Sequence, residues 1–353
     1  MTINRPPTSL GPVTSYAAWL ALMLTCFCSL AAADDGADRA TGSRPDIAAA
    51  CAKLGRGVNL GNFFEVPRDQ SWGVKLSPDH LVLIKSAGFD SIRLPVKWSD
   101  YAATEEPYTI EPAFFGRVDR WLDRAEAEQL NVVLNIHHYD GLDEDPAAHS
   151  DRFAALWTQI AQHYRARGDW LYFELDNEPH DKLVDHWNDV LLRGLAAVRA
   201  SNPTRPVIIG PPHWNGIWAL PQLKLPDDRN LIVTVHMYNP HEFTHQGASW
   251  AGEKVRAIKN KAWGSAEDLT ALKQEMQQAA DWGREHERPI YLGEFGAYEA
   301  APQDSRVRWT AAVARTAEDL EMSWAYWEFG AGFGVYDLAN KQWHDDVLQA
   351  LLP

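Results

Sequence analysis

Two glutamates stand at the ends of apolar runs, where a buried carboxyl group can do acid–base chemistry. Glu178 follows WLYFELDN (170–177) and precedes Pro179, which cannot extend a β-ladder, so the chain must turn there. Glu294 lies near the end of a second apolar run, PIYLGEF (289–295). A pair of carboxyl groups can divide such work when one is protonated and the other is ionised. Because acids also favour helix N-termini, helix capping is the alternative interpretation of Glu178.

Apolar runs alternate with longer segments of helical period along the whole chain after residue 50. The predicted strands are 55–61, 90–96, 131–137, 170–176, 206–211, 231–237, 289–295 and 323–329. The predicted helices are 78–87, 112–129, 147–167, 181–200, 267–287, 304–321 and 343–351. This order predicts an α/β fold, a single-domain (β/α)8 or TIM barrel. A doubly wound open sheet is the alternative, but the first strand ends GNFFE, without the glycine-rich phosphate turn of that fold.

Functional side chains of a (β/α)8 barrel lie at the carboxyl ends of its strands. Polar and aromatic residues collect at these positions here: Asn62, Glu65, Arg93, His137, His138, Asn177, Glu178, His213, Trp214, His236, Tyr238, Glu294 and Trp327. Two carboxyls among neutral His, Tyr and Trp side chains suit hydrolysis of a glycosidic bond. One carboxyl protonates the leaving oxygen, and the other attacks the anomeric carbon or activates water. Trp rings offer flat apolar faces on which sugar rings can stack.

Seven stretches of the chain together resemble glycoside hydrolase family 5. They are GRGVNLGN (55–62), IRLP (92–95), IHH (136–138), FELDNEP (173–179), HMYNP (236–240), YLGEFG (291–296) and WAYWE (324–328). The resemblance covers essentially all of residues 51–353 and is strongest to bacterial endo-β-1,4-glucanases and glucanase/mannanases. It implies a retaining double displacement on a β-1,4-linked polysaccharide or oligosaccharide, with no cofactor.

The same resemblance implies a role for each matching residue. Glu178 matches the general acid/base, and Glu294 matches the nucleophile, which Arg93 and Tyr238 hold ionised and oriented. His236 also belongs to the catalytic group. The substrate-binding residues are expected to be Asn62, Glu65, His137, His138, Asn177, Trp214, His245, Trp250, Trp327 and Phe333.

The physical requirements of these roles give two further expectations. Repulsion from an ionised Glu294 should raise the pKa of Glu178, while Arg93 should lower the pKa of Glu294. A retaining pair should hold its carboxyl groups about 5–5.5 Å apart, whereas an inverting pair leaves about 6.5–9.5 Å for a water molecule.

Three other acids lie close to the two glutamates in sequence. Glu174 is expected to point into the barrel and pair with a basic or His side chain. Glu328 follows Trp327, should point the other way by alternation, and is expected to be structural. Asp176 has two interpretations: it raises the proton affinity of Glu178, or it faces away into a salt bridge.

The first 33 residues predict a secretory signal peptide. Arg5 precedes an apolar run (16–30) that ends in three alanines at 31–33. An uncleaved anchor is the alternative, but the run is shorter than a membrane span of about 20 residues. Residues 34–50 are expected to be a short flexible linker and residues 51–353 the catalytic barrel. The predicted protein is secreted, extracellular or periplasmic, monomeric, and free of the membrane after cleavage.

Net charge and motif content limit the ligands and functions that the protein can have. The chain carries 33 basic and 48 acidic residues, a net charge of −15, which argues against a nucleic-acid partner. No catalytic metal is expected, because the adjacent His137 and His138 alternate sides of a strand and cannot readily face one ion. Three alternatives stay open: a β-1,4-mannanase with the same machinery, a non-catalytic carbohydrate-binding barrel, and a metal-dependent barrel hydrolase.

Overall fold

The computed structural model describes residues 46–353, and eight parallel strands in this part of the chain close into a barrel. In sequence order they are β1 (Arg56–Asn59), β2 (Ser91–Leu94), β3 (Asn131–Asn135), β4 (Leu171–Glu174), β5 (Val207–Ile209), β6 (Leu231–Met237), β7 (Ile290–Phe295) and β8 (Ser323–Tyr326). Each strand pairs with its neighbour in sequence, and β1 pairs with β8. The predicted (β/α)8 barrel is confirmed, and the alternative of an open sheet is wrong.

One helix precedes the first strand, and the others follow the strands along the chain. They are α1 (Ile47–Leu54), α2 (His80–Ala87), α3 (Pro112–Ala127), α4 (Asp140–Glu144), α5 (Pro146–His163), α6 (Trp187–Arg199), α7 (His241–Thr244), α8 (Gly252–Arg256), α9 (Ala266–Glu285), α10 (Gln303–Asp319) and α11 (Asp345–Leu351). A hairpin of β9 (Tyr336–Asp337) and β10 (Gln342–Trp343) follows β8. None of the helices in residues 46–353 has the length and apolar character needed to span a bilayer.

Helix α1 closes the amino-terminal end of the barrel. It begins where Asp46 accepts a hydrogen bond from the backbone N–H of Ala48 (3.0 Å), so residues 47–50 of the predicted linker are helical. Tyr172 donates its hydroxyl to the carbonyl of Ala50 (2.7 Å). The apolar residues of α1 pack with inward-facing strand residues in one cluster: Ala50, Cys51, Leu54, Val133, Tyr172, Ile208, Ile232, Tyr291 and Ala325. The predicted signal peptide and the rest of the linker lie outside the described residues.

The interior of the barrel changes from apolar to charged along the strands. Alternation turns every second side chain inward. Past the apolar layer at the α1 end, the inward positions carry Asn59, Arg93, Glu174 and Glu294, all nearly inaccessible to solvent. Buried charges need partners. The carboxyl end of the barrel is therefore where hydrogen bonds and ion pairs must be arranged.

Candidate active site

Arg93 is the centre of the buried polar layer. Its guanidinium donates to both oxygens of Glu174 (2.6 and 2.9 Å) and to Glu294 Oε1 (2.6 Å). It also donates to the amide oxygens of Asn59 (2.9 Å) and Asn177 (2.6 Å). All five N–H donors of the side chain are thus used. The expected pairing of Glu174 inside the barrel is confirmed, and Arg93 is a fixed positive charge between two carboxylates.

Glu294 lies on β7 and is held from two directions. Tyr238 donates its hydroxyl to Glu294 Oε2 (2.8 Å), while Arg93 donates to the other oxygen. Strand β6 pairs with β7 through an irregularity between Val235 and His236, which sets His236 beside Glu294. A shift of register of this kind re-aims the side chains that follow it. His236 at the end of β6 and Tyr238 just after it, both expected in the catalytic group, therefore reach the carboxylate.

Glu178 lies just beyond β4, in the turn that Pro179 enforces. Its backbone has φ +58°, a left-handed conformation that few non-glycine residues adopt. His236 Nδ1 is 2.6 Å from Glu178 Oε1 and 3.7 Å from Glu294 Oε2. Glu178 does not begin a helix, since a short 3-10 turn starts only at Asp181. The interpretation of Glu178 as a helix cap is therefore wrong.

Burial, rather than repulsion between the two carboxyls, dominates their proton affinities. It raises the pKa of Glu178 to about 7, against opposing effects of Arg93 and His180. The raised pKa of Glu178 agrees with the expectation, but its main cause is burial and not repulsion from Glu294. Burial also raises the pKa of Glu294, although Arg93, His236 and the Tyr238 hydroxyl act to lower it. Arg93 and Tyr238 donate hydrogen bonds to Glu294 and not to Glu178, so we expect Glu294 to ionise first.

The two carboxyl groups face each other across His236. One oxygen of Glu178, one oxygen of Glu294 and one ring nitrogen of His236 all lie within 4.8 Å of one another. Such a triad is also the one grouping in residues 46–353 whose spacing would suit a cation. Arg93 already supplies a positive charge 2.6 Å from Glu294, which opposes the binding of a cation there.

Neutral histidines surround this pair. Burial lowers the pKa of His236 to about 4, and burial together with the Lys97 charge lowers that of His138 to about 4. The pKa of His137 is also lowered well below its ordinary value, chiefly by burial. The His137 ring is parallel to the Trp327 ring, with centroids 5.8 Å apart. Uncharged imidazoles beside an indole face can bind hydroxyl groups of a neutral ligand.

Comparison with known proteins decides the family. The model of the cellulase family, glycosyl hydrolase family 5, matches residues 52–332. The chain belongs to glycosyl hydrolase family 5. It is a glycoside hydrolase, as the motifs predicted, and the match covers every strand of the barrel.

Several known proteins are similar to this hydrolase over most of its length. Endoglucanase H of Acetivibrio thermocellus is 33% identical over 85% of this chain, which spans only 33% of that longer protein. Cel5A of Thermotoga maritima, solved in complex with cellobiose, is 44% identical, with a TM-score of 0.85 over 87% of this chain and 100% of that one. The same Cel5A was also solved in complex with mannotriose. The cellulose synthase subunit Z of Clostridioides difficile is 36% identical, with a TM-score of 0.82 over 85% of this chain and 100% of that one.

The remaining substrate residues expected of a family 5 enzyme fall into two aromatic groups. His245 lies beside Tyr238 and Phe333 (ring centroids 5.0 and 5.4 Å), and Trp250 lies 6.5 Å from Phe333. On the other side, Trp214 is stacked on His180 (5.3 Å). His180 Nδ1 is in turn 2.7 Å from the backbone oxygen of Glu178. The structure thus places aromatic surfaces near both carboxyls of this hydrolase.

Glu65 and Glu328 shape loops instead of lining an open surface. Glu65 is fully buried and accepts from the backbone N–H groups of Asn62 and Phe63. Its placement behind Asn62 gives no support to a direct contact with substrate. Glu328 accepts from the backbone N–H groups of the loop after β8, as expected for a structural residue. Burial raises the pKa of Glu65 to about 8 and that of Glu328 to about 7.

Asp176 points into the protein without a cationic partner. It is 4% exposed, and no Lys or Arg of residues 46–353 lies within 4.0 Å of its carboxyl group, so the salt-bridge interpretation is wrong. Burial raises its pKa well above the ordinary value, and the nearby Asp143 and Glu174 act in the same direction. Asp143 is itself 3.5 Å from His180 Nδ1. The two aspartates form a buried acidic pair behind the turn that carries Glu178.

One sequence motif runs against the expectation of no metal site. Residues 241–245 read His-Glu-Phe-Thr-His, the spacing of a helical zinc site. Here α7 lasts four residues, and the rings of His241 and His245 are stacked face to face at 4.1 Å instead of converging on one point. Glu242 is paired with Lys261 (2.6 Å). This geometry does not fit a zinc site of that type.

Other site residues were missed because their sequence context is plain. Asn59 lies within an apolar strand, and Asn215 lies in a polar turn, yet both contact the catalytic group through Arg93 and His236. His180 follows the Asn-Glu-Pro turn and supports Trp214. A polar amide inside an otherwise apolar strand is a usable signal, since burying one requires a partner.

Proposed function

We propose that this protein is an endo-β-1,4-glucanase that hydrolyses internal bonds of soluble or amorphous β-glucans by a retaining double displacement. Family membership and the endoglucanase names of several relatives support the substrate class. The observation that carries the mechanism is the spacing of Glu178 and Glu294, with oxygens within 4.8 Å. Oxygens this close support the retaining separation of about 5–5.5 Å between carboxyl groups over the inverting separation of about 6.5–9.5 Å.

In the first step of the proposed reaction, an oxygen of Glu294 attacks the anomeric carbon. The bond to the leaving oxygen breaks as the Glu178 carboxyl gives it a proton. In the second step, Glu178 removes a proton from water, which attacks the anomeric carbon and releases Glu294. Arg93 and Tyr238 hold Glu294 charged and in line for attack.

Asn177 and His236 complete the proposed arrangement. The amide oxygen of Asn177 accepts from Arg93 (2.6 Å), so its NH2 group is the part left to donate to a sugar hydroxyl at C2. His236 contacts Glu178 at 2.6 Å, and burial lowers its pKa. A neutral imidazole can stay hydrogen-bonded to the carboxyl group in both of its protonation states. Trp327, parallel to His137, offers the platform under the sugar whose bond is cut.

Mannan or glucomannan is the second candidate substrate. The observation that favours it is the similarity to Thermotoga Cel5A, which has been solved with mannotriose as well as with cellobiose. Glucose and mannose differ in the direction of the C2 hydroxyl. Discrimination would therefore rest on the groups near that position, among them Asn62 and His137. A non-catalytic barrel is disfavoured because both glutamates are present and each is held by a hydrogen bond, Glu178 with His236 and Glu294 with Tyr238.

Activity on a panel of polymers tests the substrate. Reducing ends released from carboxymethylcellulose, barley β-glucan, lichenan, glucomannan and galactomannan should be greatest for the β-glucans. Glu294→Gln and Glu178→Gln should abolish most activity, whereas the exposed Glu285→Gln is the matched control. Faster cleavage of galactomannan than of β-glucan would favour the mannanase alternative. Full activity in Glu294→Gln would revive the binding-protein alternative.

The stereochemistry of the first product tests the retaining mechanism. Proton NMR during hydrolysis of a β-linked oligomer should show the β-anomer first, with the α-anomer appearing only by mutarotation. Initial formation of the α-anomer would establish inversion and refute the role of Glu294 as nucleophile.

We also propose secretion through a signal peptide at residues 1–33, a short linker ahead of the barrel, and action as a monomer. N-terminal sequencing of the mature protein and size-exclusion chromatography with light scattering test these proposals. A mature chain that still begins at Met1, or a stable dimer, would contradict them.

A further inference from the structure

The exposed tryptophans all lie on the face of the barrel that carries the two carboxyls. Within residues 46–353 they are Trp72, Trp214, Trp218 and Trp250, exposed by 44%, 51%, 60% and 62%. Each follows the carboxyl end of a strand, after β1, β5 or β6. Large exposed aromatic side chains concentrated on one face mark a binding surface. Trp214 and Trp250 are already part of the proposed substrate cleft, while Trp218 is not.

Trp218 follows a segment with an unusual backbone conformation. His213, Trp214 and Asn215 have φ of 60°, 56° and 53°, three consecutive non-glycine residues in the left-handed region. Backbone strain of this kind persists only where the surroundings enforce it, and it collects at ligand-binding sites. Asn215 is fully buried, and its carbonyl accepts from the backbone N–H of His236 (2.9 Å). The segment is thus tied to the strand that supports Glu178.

The indole of Trp218 packs against the ring of His213. Its ring centroid is 4.8 Å from that of His213. Trp218 also belongs to a short 3-10 helix, Ile217–Gln222, whose neighbours Ile217, Ala219 and Leu220 are buried. A well-supported ring loses little conformational entropy when a ligand covers it. Its exposure is therefore not that of a loose surface side chain.

A chain of contacts joins Trp218 to the acid side of the cleft. Trp214 donates its backbone N–H to the carbonyl of Pro179 (3.2 Å) and stacks on His180, whose Nδ1 contacts the backbone of Glu178. The proposed acid protonates the leaving oxygen, so the departing part of the chain lies on this side. Beyond Trp214, the next exposed ring along the segment is Trp218.

We propose that Trp218, supported by His213, is an outer sugar-binding platform that takes a hexose unit of the departing chain beyond the unit at Trp214. The proposal rests on the proposed function and deepens it. A neutral β-1,4-linked polymer is the occupant, because its sugar rings present apolar C–H faces to an indole. The platform would make the enzyme favour long chains over short ones.

Chain-length dependence tests the platform. The full chain and its W218A, W218F and L192A variants are compared on β-1,4-linked glucose tetramers and hexamers labelled at the reducing end. Leu192 is the control, being 48% exposed on α6. In W218A the ratio of kcat/KM for hexamer to that for tetramer should fall about tenfold, as expected for losing roughly half of one indole face of contact. The fall should appear in KM, because the contact is equal in ground and transition states.

The position of cleavage gives a second readout that a structural role would not move. W218A should cut the hexamer with fewer sugar units on the reducing side, whereas W218F should stay within about threefold of wild type in the chain-length ratio. An unchanged ratio and cleavage pattern in W218A would overturn the platform, as would an equal loss on both oligomers. If the wild-type protein cuts neither oligomer, the proposed function fails instead, so the two failures are distinguishable.

Discussion

Replacing Tyr238 by Phe tests whether the hydroxyl bond sets the protonation of Glu294. The change removes one donor at 2.8 Å from Glu294 Oε2 and leaves the Arg93 bond in place. A hydrogen bond to a charged group contributes about 1.5–3 kcal/mol. Since one pKa unit corresponds to about 1.4 kcal/mol, the loss should raise the pKa of Glu294 by roughly one to two units. The charged nucleophile would then form only at higher pH.

The assay is kcat/KM for a soluble β-glucan as a function of pH, which reports the pKa values of the free enzyme. The acidic limb, set by Glu294, should move to higher pH by one unit or more, as roughly that rise in pKa requires. The alkaline limb, set by Glu178 with its pKa of about 7, should stay in place. Tyr336→Phe is the matched control, a buried tyrosine in the β9 hairpin. An acidic limb that stays in place, or moves to lower pH, would refute this account of Glu294.

Three further predictions follow from the same layer of charges. Arg93→Lys should lower the free energy of unfolding by about 3–5 kcal/mol, because one ammonium cannot satisfy Glu174 and Glu294 together; a denaturant titration showing less than about 1 kcal/mol would contradict this. Asp176→Asn should leave the alkaline limb in place, because burial raises the pKa of Asp176 well above its ordinary value and so disfavours a charge there; a downward shift would show that Asp176 is charged in the native enzyme. Exhaustive chelation should leave hydrolysis unchanged, and a loss restored by one added metal would return the metal-dependent alternative.

The fold was predictable because burial leaves a simple mark on the sequence. Strand β6 occupies the predicted 231–237, and the other strands lie within their predicted ranges. Predicted strands were longer than the observed ones, as in 170–176 against Leu171–Glu174, since the apolar pattern continues past the last ladder bond. Helix α1 was missed because eight residues rich in alanine show little periodicity.

The positions of the carboxyls were predictable, but their environment was not. The Asn-Glu-Pro turn and the end of β7 place Glu178 and Glu294 at the same edge of the barrel. The bonds of Arg93 to four side chains on or just beyond other strands depend on side-chain directions that no local pattern records. Likewise, the dominance of burial over charge repulsion at Glu178 depends on packing density around it. Both the Arg93 bonds and the burial of Glu178 involve residues that are far apart in the sequence.

The apolar plug made by α1 has a consequence for how this enzyme can change over evolutionary or laboratory time. The plug residues Ala50, Cys51 and Leu54 meet inward side chains at the opposite end of the strands from Glu178 and Glu294. Residues that stabilise the barrel through α1 and residues of the active site thus lie at opposite ends of the barrel. Volume-conserving substitutions in the plug can be selected for thermal tolerance while the turnover machinery stays untouched. The loops at the carboxyl end of the barrel can in turn be varied to bind other polymers without disturbing the packing of α1.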